Sequence, residues 1–328
     1  MRIRKLATIA LLLAGTSGAS AALAQAQAYP NKPVRVINPF QAGGAGEITF
    51  RMLIPTLEKR LGQKIVLENR SGAGGNVGAQ AVVAATPDGY TLLLAATNNL
   101  VINQFIFANM SFDPATAFAP ITTTAELPSV FYVNPELPVK NLLEFVAFAK
   151  TKASAGKLNY SSPGNGTTPH LNVELLSQRT GVRLTHVPYR GLPDAMNAVL
   201  AGDVQLYLGG LAAGRGNLQA GKLKAIAVGS RERLPALPEV PTAIELGFEN
   251  FEASNWFALV APAGTDAGII DRWATEVRYA LSQPDIQTRF AEGGIVPGGM
   301  PTADFKARLA REAKLWEGVV KAGGIKAE

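Results

Sequence analysis

The stretch Pro-Phe-Gln-Ala-Gly-Gly-Ala-Gly-Glu, residues 39–47, joins the pattern of a buried strand to the pattern of a helix. Residues 34–38 before it are mostly apolar, and large apolar residues recur at helical spacing from 50 to 61. Glycines let the backbone approach a ligand closely, and the unpaired N–H groups of the first helical turn then point at it, supported by the helix dipole. The stretch therefore predicts an anion-binding turn in an α/β protein.

Glycine-rich turns of the same kind recur at residues 72–78 and 161–170. The first misses the G-x-G-x-x-G spacing of dinucleotide sites, because Val77 stands where the third glycine should be. The second holds hydroxyl and amide side chains, which can donate to a carboxylate without burying a charge; they also fit ordinary helix capping by Thr167 or Thr168. Several such turns with almost no catalytic side chains predict capture of a small anion rather than chemistry upon it.

The N-terminal segment predicts export. Arg2, Arg4 and Lys5 precede a short apolar run and two A-x-A cleavage sequences, the pattern of a secretory signal peptide over residues 1–28. Once these three charges are removed, +3 remains of the formal net charge of +6. Because no Lys/Arg stripe concentrates this charge, it does not indicate a nucleic-acid partner.

The chain has no cysteine and only two histidines, His170 and His186. An exported chain without cysteine forms no disulfide and offers no thiol nucleophile or thiolate ligand. The histidines are too far apart in sequence for a local metal motif, and neither a G-x-S-x-G nor an H-E-x-x-H sequence occurs. The sequence therefore predicts no metal, no cofactor and no catalytic centre.

Strand patterns alternate with helical patterns along most of the chain, which is typical of α/β domains with mostly parallel sheets. Two segments, 127–135 and 251–262, look like crossings between domains. They predict one discontinuous domain, residues 29–128 and 254–328, and a second domain, residues 129–253. The ligand cleft is expected at the carboxyl ends of strands from both domains.

Four single residues deserve separate interpretation. Pro55 lies inside the first helical pattern and is expected to kink that helix or end its first part. Glu47 would read a donor on the ligand if it faces the cleft, and would be a first-turn acid if it faces outward. His170 fits a hydrogen-bond donor in the cleft and a structural histidine at a helix start equally well. Tyr189 can wall a pocket with its ring while its hydroxyl forms a hydrogen bond.

Taken in order, the motifs resemble those of one family. They are Tyr29-Pro-Asn-Lys-Pro-Val-Arg35 with the stretch 39–44, Glu68-Asn-Arg-Ser-Gly-Ala-Gly-Gly-Asn-Val-Gly78, Pro87-Asp-Gly-Tyr-Thr-Leu92, Val187-Pro-Tyr-Arg-Gly191, Ala220-Gly-Lys-Leu223 and Val240-Pro-Thr242. The whole mature chain is similar to the Bug-type solute-binding proteins, the periplasmic receptors of tripartite tricarboxylate transporters.

The resemblance implies an α/β, two-domain periplasmic-binding-protein type II fold with a ligand cleft between the domains. It implies a non-enzymatic periplasmic receptor that closes on a small organic acid, held by its carboxylate. It also implies delivery to the membrane permease of a tripartite tricarboxylate transporter, with a sensor kinase as the alternative partner. An exported hydrolase that uses Glu47 and His170 is the remaining alternative.

The predicted ligand-binding residues lie in turns that follow strands. They are Phe40, Gln41, Ala42, Gly43, Gly44, Glu47, Gly75, Asn76, Ser162, Asn165, Gly166, Thr167, Thr168, His170, Tyr189 and Gly209. Two positions depart from the pattern of the family, which usually has Asp in place of Glu47 and a Phe-Asp-Asn-like run in place of Leu208-Gly209-Gly210. The second departure predicts a larger or more neutral distal pocket.

Overall fold

The computed structural model describes residues 29–152 and 158–326, which form a mixed α/β fold; the predicted signal peptide, residues 1–28, lies outside the described residues. The strands in this part of the chain are β1 (Val34–Asn38), β2 (Ile65–Asn69), β3 (Thr91–Ala96), β4 (Phe118–Val133), β5 (Asn159–Ser162), β6 (Thr185–Pro188), β7 (Leu206–Gly210), β8 (Lys224–Val228), β9 (Ser254–Pro262) and β10 (Val296–Pro297). The helices are α1 (Ala45–Leu61), α2 (Asn76–Val83), α3 (Asn103–Ile106), α4 (Pro114–Ala117), α5 (Leu142–Lys152), α6 (Thr168–Thr180), α7 (Leu192–Ala201), α8 (Leu211–Gln219), α9 (Ala267–Leu281), α10 (Pro284–Gly293) and α11 (Thr302–Gly323). A 3₁₀ turn spans Ala73–Gly75, and a π-helical turn spans Asn98–Ile102. None of the helices described combines the length and the apolar character needed to cross a membrane.

The strands form one continuous sheet in the order β2-β1-β3-β9-β4-β7-β5-β6, and β8 and β10 each pair with β4. β1 runs parallel to β2 and β3, and β5 runs parallel to β6 and β7. Every pair that includes β4 or β9 is antiparallel. The expectation of mostly parallel sheets is therefore wrong for the middle of the sheet, because the two strands that carry the chain between its parts run in opposite directions.

The 16-residue strand β4 changes partners along its length. Residues 118–128 pair with β9, whereas residues 129–133 pair with β7 and β8. We call residues 29–128 and 254–326 the first lobe, and residues 129–253 the second lobe. The change of partner falls at the predicted domain boundary, and the division into two domains at these residues remains a prediction.

Helix α1 continues through Pro55 to Leu61, so the expectation that Pro55 ends its first part is wrong. Proline removes one backbone N–H from the helix, and the carbonyl that loses its partner belongs to Arg51. Both residues are exposed, so water can satisfy that carbonyl. Fully buried apolar residues on the opposite face, among them Phe50 and Leu53, hold the helix on the sheet.

Arg308 of α11 stabilises the point where β4 leaves the first lobe. Its buried guanidinium pairs with Glu126 of β4, and its Nε donates to Glu312 Oε1 at 2.6 Å. The other oxygen of Glu312 accepts from Trp256 Nε1 of β9 at 2.9 Å. Two carboxylates around one guanidinium leave this buried charge compensated, as burial of an ion requires.

Gly78 lets α2 approach the turn that follows β1. A Cβ at this position would lie 2.7 Å from both the Arg70 carbonyl oxygen and Pro39 Cα, and neither backbone atom can move away as a flexible side chain would. Gly216 in α8 offers a contrast, because a Cβ there meets no atom within 4 Å. Close packing therefore requires a glycine at position 78 but not at position 216.

We expect Gly78→Ala to lower the free energy of unfolding by about 1–3 kcal/mol, the usual range for overpacking. Gly216→Ala should raise it by about 0.5–1 kcal/mol, since alanine is the better helix former and nothing obstructs it. Urea denaturation of both variants checks the pair. Equal stabilities would contradict the close packing of α2 on the β1 turn.

Candidate functional site

The turn between β1 and α1 is held by a side chain of the helix that it precedes. Gly43 has a φ of +80°, and Gly44 is extended with φ −69° and ψ 156°. Among the described residues no side chain caps α1 at Gly44. Instead Glu47, the third helical residue, reaches back, and its Oε2 accepts the Gly43 N–H at 3.0 Å.

Glu47 is buried and fully engaged within its own lobe. Its Oε2 also accepts from Asn69 Nδ2 at 3.2 Å, and its Oε1 accepts from Arg51 Nε at 2.7 Å. Burial alone would raise the pKa of this carboxyl, but the hydrogen bonds from Arg51, Gly43 and Asn69 outweigh it and leave the pKa lowered. The sequence analysis expected Glu47 either to contact the ligand or to face outward as a first-turn acid. In the structure its carboxylate holds the β1–α1 turn in place and is paired with Arg51.

The turn between β5 and α6 is built in the same way. Gly166 has a φ of +69°, and Thr167 is extended with φ −71° and ψ 154°. His170, again the third helical residue, accepts the Gly166 N–H on Nδ1 at 3.1 Å. This bond requires an unprotonated Nδ1, so the ring proton of neutral His170 lies on Nε2.

Neither predicted threonine cap of α6 forms. The Thr167 hydroxyl donates to the Gly164 carbonyl at 2.8 Å, and the Thr168 hydroxyl donates to Asn98 Oδ1 at 3.1 Å. The first-turn N–H groups of a helix have no intrahelical acceptor, and here, within the described residues, no capping side chain takes them. The starts of α1 and α6 are therefore two uncapped ends suited to an anion.

His170 and His186 stack face to face with ring centroids 3.8 Å apart and an interplanar angle of 12°. His186 also stacks on Tyr160 at 4.9 Å, and its Nε2 lies 2.6 Å from Ser162 Oγ. Burial, with a contribution from His186, lowers the pKa of His170 to about 3, and burial lowers the pKa of His186 to about 4. Both rings are therefore neutral near pH 7 and support the β5–α6 turn from behind.

A cavity of about 290 Å³ opens between the lobes beside the start of α6. Its walls come from the first lobe through Gly74, Asn98, Asn103, Ile106 and Phe107, and from the second lobe through Asn165, Gly166 and Thr167. None of these described lining residues carries a charge. The cavity thus combines amide and hydroxyl groups with an apolar side formed by Ile106 and Phe107.

The first-lobe wall is a connected unit. A Cβ at Gly75 would lie 3.2 Å from the Phe40 ring, so the two glycine-rich turns of this lobe meet there. Asn103 Nδ2 donates to the Gly74 carbonyl at 3.0 Å and to Asn76 Oδ1 at 2.7 Å. These bonds tie the second turn to helix α3, which presents Ile106 to the cavity.

Of the predicted site residues, Asn165, Gly166 and Thr167 line the cavity, and Phe40, Gly75 and Asn76 support its wall. Gln41, Ala42 and Gly43 are exposed on the β1–α1 turn, where Gly44 completes the turn. Ser162, Thr168 and His170 belong to the β5–α6 turn behind the cavity. Gly43 N–H and Gly166 N–H are already given to Glu47 and His170, and Thr167 N–H donates to the Gly164 carbonyl at 3.4 Å. Because Pro169 has no N–H, the first-turn donors of α6 that remain for a ligand, within the described residues, are those of Thr168 and His170.

Tyr189 and Gly209 do not line the cavity. Tyr189 is half-buried against the core of the second lobe. A Cβ at Gly209 would lie 2.6 Å from the Tyr207 hydroxyl, which covers this position. The absence of a side chain at Gly209 therefore makes room for Tyr207 and does not enlarge the cavity.

Sequence reasoning missed Gly74, which stands next to the predicted Gly75, and also Asn98, Asn103, Ile106 and Phe107. The last four lie in the π-helical turn, in α3 and directly after α3, a segment without clear periodicity for which the sequence predicts no element. One signal was available, because Asn98 and Asn99 come one residue after the carboxyl end of β3, where open α/β sheets bind their ligands.

An α/β fold with an uncharged cavity between two lobes is shared with the periplasmic solute-binding proteins of known structure. The chain belongs to the TctC family, the tripartite tricarboxylate transporter family receptors, whose model matches residues 49–325. It is 33% identical to BugT of Bordetella pertussis over 324 residues, which cover 98% of each chain. It is also similar to the structure of an R. palustris protein with adipate (TM-score 0.76, 32% identity, 91% of this chain and 99% of that one). A third relative is MatC from Rhodopseudomonas palustris with bound malate (TM-score 0.71, 30% identity, 89% and 100%).

These comparisons confirm the predicted family, the two-domain fold class and the non-enzymatic role. The exported hydrolase that would use Glu47 and His170 is a wrong alternative. Each of these side chains accepts a backbone N–H of its own turn, so neither is available as an acid–base partner of the other.

The stacked histidines predict an acid-sensitive fold. Both folded-state pKa values lie below the ordinary 6.5, so their contribution to stability is present above pH 6.5 and is lost as the pH falls toward about 4 and 3. We expect His186→Phe, which keeps a ring between Tyr160 and His170, to reduce the fall in Tm between pH 7 and pH 4.5 by several degrees. Melting curves of both proteins across this range measure it. Identical pH dependence would contradict a titrating pair.

Proposed function

We propose that this chain is a periplasmic receptor that binds a small organic carboxylate in the cleft between the lobes and delivers it to the permease of a tripartite tricarboxylate transporter. The observation that carries the proposal is the wall formed by Asn165, Gly166 and Thr167. It brings the uncapped start of α6 to the cavity between the lobes.

The chemistry of this wall suits a carboxylate. A helix N-terminus offers N–H donors and roughly half a positive charge, which favours an anion without the burial of a lysine or arginine. Glu47, which braces the β1–α1 turn, adds no net charge there, because its carboxylate pairs with Arg51 and also accepts two N–H donors. The absence of charge among the described lining residues leaves the helix end as the main electrostatic feature of the cavity.

The transport role is supported by the family and by the relatives. The matching family model describes transporter receptors, and two similar structures contain the carboxylates adipate and malate. Members of the family are periplasmic binding proteins, which agrees with the predicted signal peptide at residues 1–28. We therefore assign the permease, rather than a sensor kinase, as the partner of the closed, ligand-bound form.

A thermal-shift screen of the mature protein, confirmed by calorimetry, tests the ligand class. The panel contains dicarboxylates, tricarboxylates, aromatic carboxylates and acidic amino acids, with adipamide as the uncharged match to adipate. A ligand at 100 times its Kd should stabilise the protein by about 2.7 kcal/mol. Binding of amides in preference to the acids, or no binding across the panel, would overturn the carboxylate assignment.

Two glycines at opposite ends of α6 provide a matched test of the site. Gly166 and Gly181 have φ values of +69° and +71°, so alanine costs backbone strain of about 1 kcal/mol at either position. Only at Gly166 does the new Cβ meet a cavity residue, Ile106 Cδ1 at 2.8 Å; at Gly181 it meets nothing within 4 Å. We expect Gly166→Ala to weaken carboxylate binding about tenfold or more in calorimetry, and Gly181→Ala to leave it unchanged. Equal affinities of the two variants would place the ligand elsewhere.

A further inference from the structure

Asn98 joins the two lobes directly across the cleft. It lies in the π-helical turn of the first lobe, and both ends of its carboxamide contact the β5–α6 turn of the second lobe. Its Nδ2 donates to the Gly166 carbonyl at 3.3 Å, and its Oδ1 accepts from the Thr168 hydroxyl at 3.1 Å. The carboxamide thus matches a donor and an acceptor of the opposite wall at once.

An apolar contact accompanies these bonds. Ile106 Cδ1 lies over Gly166, where an added Cβ would come within 2.8 Å. Thr168 is almost fully buried and does not line the cavity, whereas Asn98 is half-buried at its edge. The Asn98–Thr168 hydrogen bond therefore lies beside the cavity and joins its first-lobe wall to its second-lobe wall.

We propose that Asn98 is a clamp that sets the population of the closed cleft, independently of which ligand is bound. The bonds to Gly166 and Thr168 exist only while the walls are together, so they stabilise the closed arrangement over the open one. A neutral amide loses and regains water at little net cost, so each bond contributes modestly and remains reversible. The predicted effect of the clamp on ligand affinity rests on the proposed function. Its predicted effect on the balance between the open and closed forms does not.

The proposal predicts a uniform loss of affinity. When the closed state is fractionally populated, the apparent Kd is the intrinsic Kd divided by that fraction. Asn98→Ala should therefore weaken every bound carboxylate by the same factor, about tenfold for two lost hydrogen bonds. If Asn98 bound the ligand itself, the loss of affinity would differ between carboxylates that differ at the end far from the bound carboxylate.

The partner side chain gives a second prediction. Thr168→Val removes the hydroxyl but keeps the shape of the side chain, so it should reproduce part of the loss of affinity. Thr168→Ser keeps a hydroxyl and should retain the affinity. In the Asn98→Ala background Thr168→Val should have no further effect, because the bond is already gone. Gln104→Ala is the matched control, since Gln104 Nε2 donates to Val101 of its own lobe at 2.8 Å and does not reach the opposite wall.

Spin-label distances test the clamp without any ligand. The chain has no cysteine, so labels can be placed at exposed Lys59→Cys of the first lobe and exposed Gln219→Cys of the second. We expect electron-resonance distance distributions of the unliganded protein to shift toward longer separations in Asn98→Ala and Thr168→Val, but not in Gln104→Ala. Identical distributions, additive effects of Asn98 and Thr168, or ligand-dependent losses would each overturn the clamp. A protein that binds no carboxylate but shows the shift would contradict the proposed function alone.

Discussion

A helix that receives an anion must leave its first-turn N–H groups free, yet the loop before it must still be held in one conformation. Helices α1 and α6 meet this constraint in the same way. A glycine with positive φ stands two residues before each helix, and the third helical residue accepts its N–H: Glu47 for Gly43, and His170 for Gly166. The brace uses a donor outside the helix, so the helix end itself stays open.

The two braces achieve electrical neutrality by different chemistry. Glu47 is an anion, and it needs Arg51 to compensate it. His170 is a neutral acceptor, kept so by burial and by its stack on His186. Neither adds net negative charge beside the cleft, which would otherwise repel an anionic ligand. The Glu47 side chain is long enough to accept the Gly43 N–H on one oxygen while the other accepts from Arg51.

Much of the fold could be predicted because its signals are local. The strand, glycine-rich turn and helix patterns around Gly43 and Gly166 lie within single short segments, and the elements form there. The first part of β4, 118–128, and the segment 98–106 escaped prediction, because their structure depends on contacts with distant residues. Asn103, for example, is oriented by Gly74. Tyr207 and Gly209 lie two residues apart on β7 and so share a face of the strand, but only the structure shows that the Tyr207 hydroxyl covers Gly209.

The contacts at the end of the first lobe and those across the cleft differ in how readily they can be broken. Where β4 leaves the first lobe, Arg308 is buried between Glu126 and Glu312 of the same lobe, and separation of these groups would leave a charge without a partner, which is costly. At the cleft, Asn98 makes neutral hydrogen bonds that water can replace. A motion of the kind proposed for the clamp would leave the Arg308 cluster intact and break the Asn98 contacts. The proposed clamp therefore places the hinge at β4 and β9 and the reversible contact at Asn98.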